Sequence, residues 1–550
     1  MFLPLNTEEM KNLGWDHLDI VLVTGDAYID HPSFGAAIIG KYLVSKGFKV
    51  GIISQPDINS NDDFKRLPAP GLFVGVTSGN VDSMVNNYTA SRKKRKSDDY
   101  SEDGKGFVRP DRAVIAYVNK VKENYKGVPV IIGGIEASLR RVSHYDYWSD
   151  KVRRSILFDS KADMLVFGNG ERTVLKIAEE LRSGKPFNRI RTLRGTAFVA
   201  GGSEAAPGRY NYRKLPSFQE VSTSKDLFYE SEKVIHSVTN PYFNTGLVQE
   251  TNGRILVVNP PVVPEGDIDE FYDCGFEKMP HPVYKNTIPA FEMIKNSITI
   301  HRGCFGGCTF CSISQHQGKF IQSRSEGSVV KEAGELSSGS VTDLGGPSAN
   351  MYAMHGIDLE KCRKCSRQSC IYPDICNNLD PSHEELLKLY EKVKEHKRVF
   401  INSGIRHELA LLDKNYIKAV AEEFTSGILK IAPEHTEKEI LKLMLKPDIS
   451  KYEEFISLFS KYSSKKQFVV PYLISAFPGI TIETAQKMSD YLKINNIRVE
   501  QVQDFIPLPM TIAACMYYTE RDFFTGEKRY VAKTYKEREM HKKLIQWWKK

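Results

Sequence analysis

Residues 300–314 read IHRGCFGGCTFCSIS, and three cysteines, Cys304, Cys308 and Cys311, fall within eight of them. Three soft thiolates at this spacing can hold three irons of a 4Fe–4S cluster and leave the fourth iron open. An open metal position separates a catalytic site from a closed structural one. The competing readings are a partial zinc site and a group of small buried hydrophobes. Zinc knuckles present paired CxxC steps, whereas the first gap here is three residues. Gly303, Gly306 and Gly307 allow the chain to wrap tightly around a cluster. Spacing alone therefore states three thiolates around a metal.

Downstream of this run the chain alternates strand and helix patterns. SITIHR (297–302) is a strand that leads straight into the cysteines, and a helix follows near 326–337. The next strands read SVTDLGG, RVFINSG, GILKIAPE, FVVPYLISAFPG and VEQVQDFIPLP, with helices between them. Capping boxes are expected at Ser382-x-x-Glu385 and Thr436-x-x-Glu439. Six βα units of this kind give a partial parallel barrel, whose chemistry collects at the carboxyl ends of its strands. The distinctive residues lie at those ends: the cysteine loop, Gly345-Gly346-Pro347, Ser403 to Arg406, Pro433-Glu434-His435 and Phe477-Pro478-Gly479.

Upstream, DIVLVT (19–24), FKVGIIS, GLFVGVTS, VPVIIGG and ADMLVFG are apolar runs with glycine at or near their ends, interleaved with helical patterns. This spacing predicts a doubly wound parallel sheet that binds ligands outside its carboxyl edge. Residues 201–295 are rich in turn residues, with a hairpin expected at Asn252-Gly253, and read as a bridging region. The expected domains are 1–200, the bridge 201–295, the barrel 296–520 with a cysteine-rich insertion at 350–380, and a helical extension 521–550.

That insertion carries Cys362-x2-Cys365-x4-Cys370-x5-Cys376. Four thiolates within fifteen residues imply a second, coordinatively closed metal site. Zinc would make it a structural staple, and a second iron–sulfur cluster would make it an electron relay or substrate anchor. Lys361, Arg363, Lys364 and Arg367 are expected to offset the thiolate charge. Cys274 and Cys515 stand outside both groups and read as packing residues.

The chain has 550 residues, 41% hydrophobic and 26% charged, which suits two or three soluble domains. It holds no apolar run of about eighteen residues, so no membrane span is expected, and its N-terminus does not resemble a signal peptide. Nine cysteines, most of them in metal-like spacing, favour a reducing cytoplasm over a disulfide scaffold. The formal net charge of +8 permits a nucleic-acid partner but does not call for one. Its basic runs are SRKKRKSDD (91–99), read as a solvated loop, and the terminal KKLIQWWKK.

With Phe310 preceding the last cysteine, the opening run resembles the radical S-adenosylmethionine (radical SAM) signature. The ordered stretches GDAYIDHPSFG, GGIEASLRRVSHYDYW, IHRGCFGGCTFCSISQHQGKFIQSRS, the second cysteine set and VQDFIPLPMTIAACMYYT together resemble the YgiQ-type radical SAM proteins over nearly the whole chain. The resemblance implies an α/β fold: an N-terminal doubly wound, cobalamin-binding-like Rossmann domain followed by a partial (β/α)6 radical SAM barrel. It implies a 4Fe–4S cluster on Cys304, Cys308 and Cys311 and S-adenosylmethionine as cofactor, cleaved to a 5′-deoxyadenosyl radical that acts on an unknown substrate. It also implies an electron donor such as flavodoxin or ferredoxin. Phe310, Gly345, Gly346 and Pro347 are expected around the cofactor, and Ser403, Arg406 and Glu434 at its ribose, carboxylate or amine. Cobalamin is not expected, because the loop Asp30-His31-x3-Gly35 lacks the spacing of the base-off signature. Two other classes compete: an RNA-modifying, methylthiotransferase-like enzyme, and a non-catalytic iron–sulfur or zinc protein.

Overall fold

The computed structural model describes residues 1–201, 208–463 and 466–549. Residues 202–207 of the expected bridge and Lys550 of the terminal basic run lie outside the described residues. The chain divides into two compact units, Met1–Lys295 and Asn296–Lys550.

The first unit is built on one nine-stranded sheet. Its strands are β1 (Ile20–Thr24), β2 (Val50–Ser54), β3 (Phe73–Thr77), β4 (Val130–Gly133), β5 (Met164–Val166), β6 (Thr196–Ala200), β7 (Asn211–Lys214), β8 (Thr245–Thr251) and β9 (Arg254–Val258). The spatial order is β7-β8-β9-β6-β5-β4-β3-β1-β2. The first five strands are parallel in the order 2-1-3-4-5, so the connections reverse direction between β1 and β3. Every residue of β1 is buried, as its unbroken apolar run requires of a strand covered on both faces. The apolar core against this sheet includes Ile20, Val50, Phe73, Ile131 and Met164 from the strands and Ala37, Leu43 and Ile177 from the helices.

The stretch expected as a bridge is not a bridge. Strands β7, β8 and β9 extend the same sheet, with β9 pairing antiparallel to β6 and β6 to β5. The Asn252-Gly253 hairpin forms as expected: both residues have positive φ, the backbone that a tight two-residue turn requires. β8 alternates in burial from Val248 to Thr251, and β9 is buried throughout its last three residues, Leu256–Val258.

The edge between β1 and β3, where ligands of such sheets bind, is filled by the chain itself. Arg109 is fully buried there, with Nη2 2.8 Å from Asp26 and Nε 3.2 Å from Asp98. Its Nη1 donates to the Ser78 carbonyl. A Cβ on Gly79, whose φ is +103°, would overlap Asp26, so the turn closes down onto the ion cluster. His31 is enclosed beside it at 1% exposure, and its Nδ1 accepts the Ser33 N–H at 3.1 Å. Burial holds its pKa down near 3. The basic run at 91–96 is exposed as expected, but Asp98 at its end is the buried partner of Arg109.

The second unit carries six strand segments that pair in chain order. They are β10 (Ser297–Thr299), β11 (Asp343–Gly345, preceded by Ser340–Val341), β12 (Arg398–Val399), β13 (Ile428–Glu434), β14 (Phe468–Ser475) and β15 (Val502–Asp504). β10 pairs with β11, Ser340–Val341 with β12, β13 with β14 and β14 with β15, all parallel. A parallel bridge from Ile405 to Ile431 links the third segment to the fourth. The apolar core runs from Ile298 and Leu344 on the strands to Leu389 and Phe455 on the helices.

Neither expected capping box forms. The helix Glu384–Lys394 has His383 at its N-cap, and Glu385 pairs with Lys388 one turn on. The helix Lys438–Met444 starts after Glu437, whose N–H is taken by His435 Nδ1 at 3.0 Å. Competing local partners shift each start by one residue. Among the described residues no helix is long and apolar enough to cross a membrane.

Replacing Arg109 by Met would leave Asp26 and Asp98 buried without a counter-ion, and should cost about 3–5 kcal/mol. Urea unfolding of the Arg109→Met chain should show the loss, with Arg109→Lys losing less.

Candidate functional site

The cysteine run leaves the carboxyl end of β10 through the short segment His301–Arg302, which pairs back with Gln322–Ser323. The loop is held from several sides. Cys304 N donates to Gly318 O at 3.1 Å, Gly303 N to Gln317 Oε1 at 3.1 Å, and Thr309 Oγ1 to Leu443 O at 2.8 Å. Gly307 has φ +63° and lies so close to the Gln368 carbonyl that a Cβ would overlap it. The three thiols are half-buried as whole residues. Burial raises the pKa of the Cys304 thiol and pushes that of Cys311 up to about 12, with the neighbouring thiols adding to the rise. Deprotonated sulfur here needs a positive group or a metal.

Arg406 supplies the positive group. It sits at the carboxyl end of the third strand segment, 9% exposed, and its Nη1 donates to Cys308 Sγ at 3.1 Å. Its Nε donates to Glu408 Oε1 at 2.9 Å, and Asn350 clamps its backbone, accepting at Oδ1 (2.8 Å) and donating from Nδ2 (3.0 Å). Burial opposes the guanidinium charge, but Glu408 and the two nearby cysteines outweigh it and raise its pKa. Burial also opposes the Glu408 carboxylate, yet Arg406, His407 and Lys446 bring it down to about 2. Glu408 was not singled out by sequence. Its signal is the i+2 step from Arg406 on a turn of helix, too common a pattern to stand out.

The remaining candidates fall at neighbouring strand ends. Ser403 donates its hydroxyl to Asp343 Oδ2, and Asp343 Oδ1 accepts the N–H groups of Asn402 (2.8 Å) and Ser403 (2.9 Å). Asp343 stands within SVTDLGG, and sequence reading missed it because an acid inside a strand carries no motif. A Cβ on Gly345 would come within 2.9 Å of Ser403 Oγ, and one on Gly346 within 2.6 Å of the His301 ring. His301 is fully buried, neither ring nitrogen has a hydrogen-bond partner among the described residues, and burial lowers its pKa to about 3. Pro347 follows this cradle. Glu434 ends β13 at φ +71°, where the register with β14 shifts. A non-glycine residue held in this region is a strained position of the kind found at active sites. Burial raises its pKa, against the opposing pull of Lys446 and Arg406. The Phe310 ring meets Phe477 edge-on at 6.3 Å, and Phe477 meets Phe505 at 5.3 Å.

The second cysteine set lies against the first. Cys370 N donates to the Phe305 carbonyl at 3.0 Å, the residue after Cys304. Phe305, Met351, Met354, Ile371 and Leu409 form one apolar cluster with Cys304, Cys370 and Cys376 packed onto it. The four thiols act on one another electrostatically, and burial pushes Cys370 up to about 11. Cys362 Sγ accepts from Asn378 Nδ2 at 3.2 Å, and Cys365 Sγ from the Arg367 N–H at 3.4 Å. Three of the four expected basic neighbours are engaged elsewhere. Lys361 faces Asp358, Arg363 pairs with Glu360, and Arg367 donates to the carbonyls of Ser369, Tyr372 and Asp374. The cation that acts on these thiols is Lys319. Among the described residues no three acidic, histidine or cysteine side chains are grouped so as to hold a single metal ion. Cys274 and Cys515 pack outside both sets; Cys274 donates to the Glu270 carbonyl at 3.1 Å, and Cys515 is buried in a helix.

The residues around the first loop fit an iron–sulfur cluster with an amino-acid-bearing cofactor beside it. The thiols are half-buried, one is already a hydrogen-bond acceptor for a buried guanidinium, and Gly345 and Gly346 pack so closely on Ser403 and the His301 ring that a side chain would clash there. The N-terminal unit does not offer the same fit to cobalamin. The crevice between β1 and β3 is taken by Arg109, Asp26 and Asp98, and His31 is enclosed.

Comparisons with known proteins agree with the order of these elements. The N-terminal radical SAM family profile matches residues 2–297, the radical SAM superfamily profile residues 298–492, and a domain of unknown function (DUF3362) residues 500–550. A UPF0313 protein of Methanocella arvoryzae is 45% identical over 99% of this chain and 92% of its own length. UPF0313 protein YgiQ of Escherichia coli K12 is 43% identical over 99% of this chain and 84% of its own. Among solved structures, the radical S-adenosylmethionine methyltransferase TsrM of Kitasatospora setae, with cobalamin and a [4Fe-4S] cluster bound, aligns at a TM-score of 0.49 and 13% identity, covering 90% of this chain and 74% of that one. With its thiol loop, glycine cradle and full-length relatives taken together, this chain belongs to the UPF0313 family of YgiQ-type radical SAM proteins.

Proposed function

We propose that Cys304, Cys308 and Cys311 hold a 4Fe–4S cluster whose open iron binds S-adenosylmethionine, and that the resulting radical acts on a substrate at the carboxyl edge of the Asn296–Lys550 unit. The observation that carries this reading is the Arg406 hydrogen bond to Cys308 Sγ, made at the edge where the cysteine loop, Gly345–Gly346 and Glu434 end successive strands. When bound, the cluster supplies the one electron that breaks a carbon–sulfur bond of the sulfonium and frees a 5′-deoxyadenosyl radical.

The chain's own residues prepare the site. Arg406 stabilises negative charge on the Cys308 sulfur, and Glu408 keeps the guanidinium oriented. Gly345 and Gly346 let the backbone approach the cofactor's amine. Ser403, fixed by Asp343, and Glu434 are placed for its polar groups. Phe305, Met351, Met354 and Leu409 cover Cys304 on one side, and the Phe310, Phe477 and Phe505 rings pack edge to edge on one another.

We read the six parallel segments as the partial (β/α)6 barrel. The four-cysteine set is read as an auxiliary iron–sulfur centre, because its backbone bonds directly to the catalytic loop and shares its apolar cluster. A staple for a remote loop would need neither. Nine cysteines, none of them in a disulfide among the described residues, support a reducing cytoplasm, with flavodoxin or ferredoxin as reductant.

Anaerobic reconstitution with iron, sulfide, dithionite and S-adenosylmethionine should yield 5′-deoxyadenosine, and Cys304→Ala, Cys308→Ala or Cys311→Ala should abolish it. No 5′-deoxyadenosine from the parent chain, even with cell extract supplied as substrate source, would sink the reading. The triple alanine variant of those cysteines should retain about four irons per chain on the second set; zinc in their place would make that set a staple. Arg406→Met should destabilise the unit by about 3–5 kcal/mol by stranding Glu408. Adding Glu408→Leu should restore most of the stability, read by urea unfolding, without restoring 5′-deoxyadenosine.

A further inference from the structure

The basic run at 92–96 has no part in the radical chemistry. By sequence it is a solvated loop, followed at once by acids. The structure departs from that picture in two ways. First, the segment is fixed. Arg92 N donates to Thr89 O at 2.9 Å, Thr89 N to Lys93 O at 2.9 Å and Arg95 N to Asn87 O at 2.7 Å. Antiparallel bridges join Tyr88 to Lys94 and Ser97 to Lys105. Gly106 lies so close to the Lys96 carbonyl that a Cβ would overlap it. Second, most of the nearby acids are engaged. Asp98 is buried against Arg109, and Asp111 accepts from Tyr88 Oη at 2.6 Å and Asn87 Nδ2 at 2.9 Å. Glu102 accepts the N–H groups of Lys285 at 2.5 Å and Asn286 at 2.7 Å. Of the acids from 98 to 111, only Asp99 and Asp103 stay exposed. Arg92, Lys94, Arg95, Lys96 and Lys105 are all exposed, and among the described residues none of them forms a salt bridge. Like charges held side by side repel one another, and a polyanion would relieve that repulsion.

Aromatic rings stand among these cations. Lys94 Nζ lies 5.3 Å from the Phe107 ring centroid, and Phe107 is 64% exposed. The Arg92 guanidinium lies 4.5 Å from the Tyr147 ring centroid, and Tyr147 meets Trp148 edge-on at 5.1 Å. Trp148 is half-buried and meets Tyr88 at 5.5 Å. Cations interleaved with rings are the pattern that binds single-stranded nucleic acid, because charge follows the phosphates while ring faces stack on bases. A duplex keeps its bases stacked within, and an acidic protein surface offers charge without base faces. Unpaired bases that can be splayed out are the state in which RNA is ordinarily recognised.

We propose that the loop from Arg92 to Phe107 is a binding surface for single-stranded RNA, with its cations on the phosphates and Phe107 stacked on a base. The inference goes beyond the radical chemistry and does not depend on it.

The test is fluorescence anisotropy of a labelled oligouridylate of about twelve nucleotides, titrated with the full-length chain over a range of salt. It should bind saturably with a Kd of about 10 μM or tighter at low salt. Lys94→Gln combined with Lys96→Gln should weaken binding at least about tenfold. The same pair should flatten the slope of log K against log salt by about 1.4, since each cation on a single strand contributes about 0.7. Phe107 has φ +67°, which asparagine tolerates, so Phe107→Asn removes the ring without adding strain. That variant should weaken oligouridylate binding several-fold and leave binding of inorganic polyphosphate unchanged. All three side chains are exposed, so the urea midpoint should hold in each variant. Equal binding by the parent chain and the lysine variant, or no binding by the parent, would overturn the surface. Oligouridylate binding indifferent to Phe107→Asn would overturn the partner class, as would purified flavodoxin binding through the same lysines while oligouridylate does not.

Discussion

Each strand of a parallel sheet must be carried back to the same starting edge before the next can pair, so every strand ends on the opposite edge. Both units of this protein are organised by that constraint. It gathers loops that are remote in sequence, and side chains at the first residues past each strand meet there. In the second unit, residues near 304, 345, 406 and 434 are brought to one edge by the pairing of six strand segments in chain order. In the first unit the same geometry brings Asp26, Ser78 and the returning Arg109 together.

What happens at such an edge is decided by charge burial. An ion removed from water must find a partner, a metal or a ligand. At the β1–β3 switch point the partners come from the chain, and the crevice closes. At the cysteine loop the partner of Arg406 is divided between Glu408 and a sulfur, so the cation both anchors the fold and acts on a thiol. Further along the first sheet the enclosed Arg141 donates to the Ser138 carbonyl and stacks on the Phe167 ring. The switch point and the cysteine loop differ in where the counter-charge comes from.

Much of this was legible in residue order. The strand runs, the Asn-Gly hairpin and the placement of candidate residues at strand ends followed from periodicity and turn chemistry. Other features were not. Residues 201–295 read as turns because their strands are short and half polar, and only pairing with β6 shows that they extend the sheet. The capping boxes at Ser382 and Thr436 lost to partners one residue away. The basic residues flanking the second cysteine set looked like counter-ions, but adjacent acids and carbonyls hold three of them, and Lys319, over forty residues upstream of Cys362, takes that role.

The sequence by itself determined which thiols stand in the first cysteine loop and at what spacing, because residue type and spacing are local and survive any arrangement of the rest. It also determined the alternation that produces parallel sheets. Only the tertiary structure decided which groups stand beside those thiols. Arg406 reaches Cys308 across 98 residues, Asp343 fixes Ser403 across 60, and Cys370 bonds the backbone next to Cys304. Such contacts depend on strand order and on which buried charges find partners. Both are properties of the packed chain, and no window of sequence contains them.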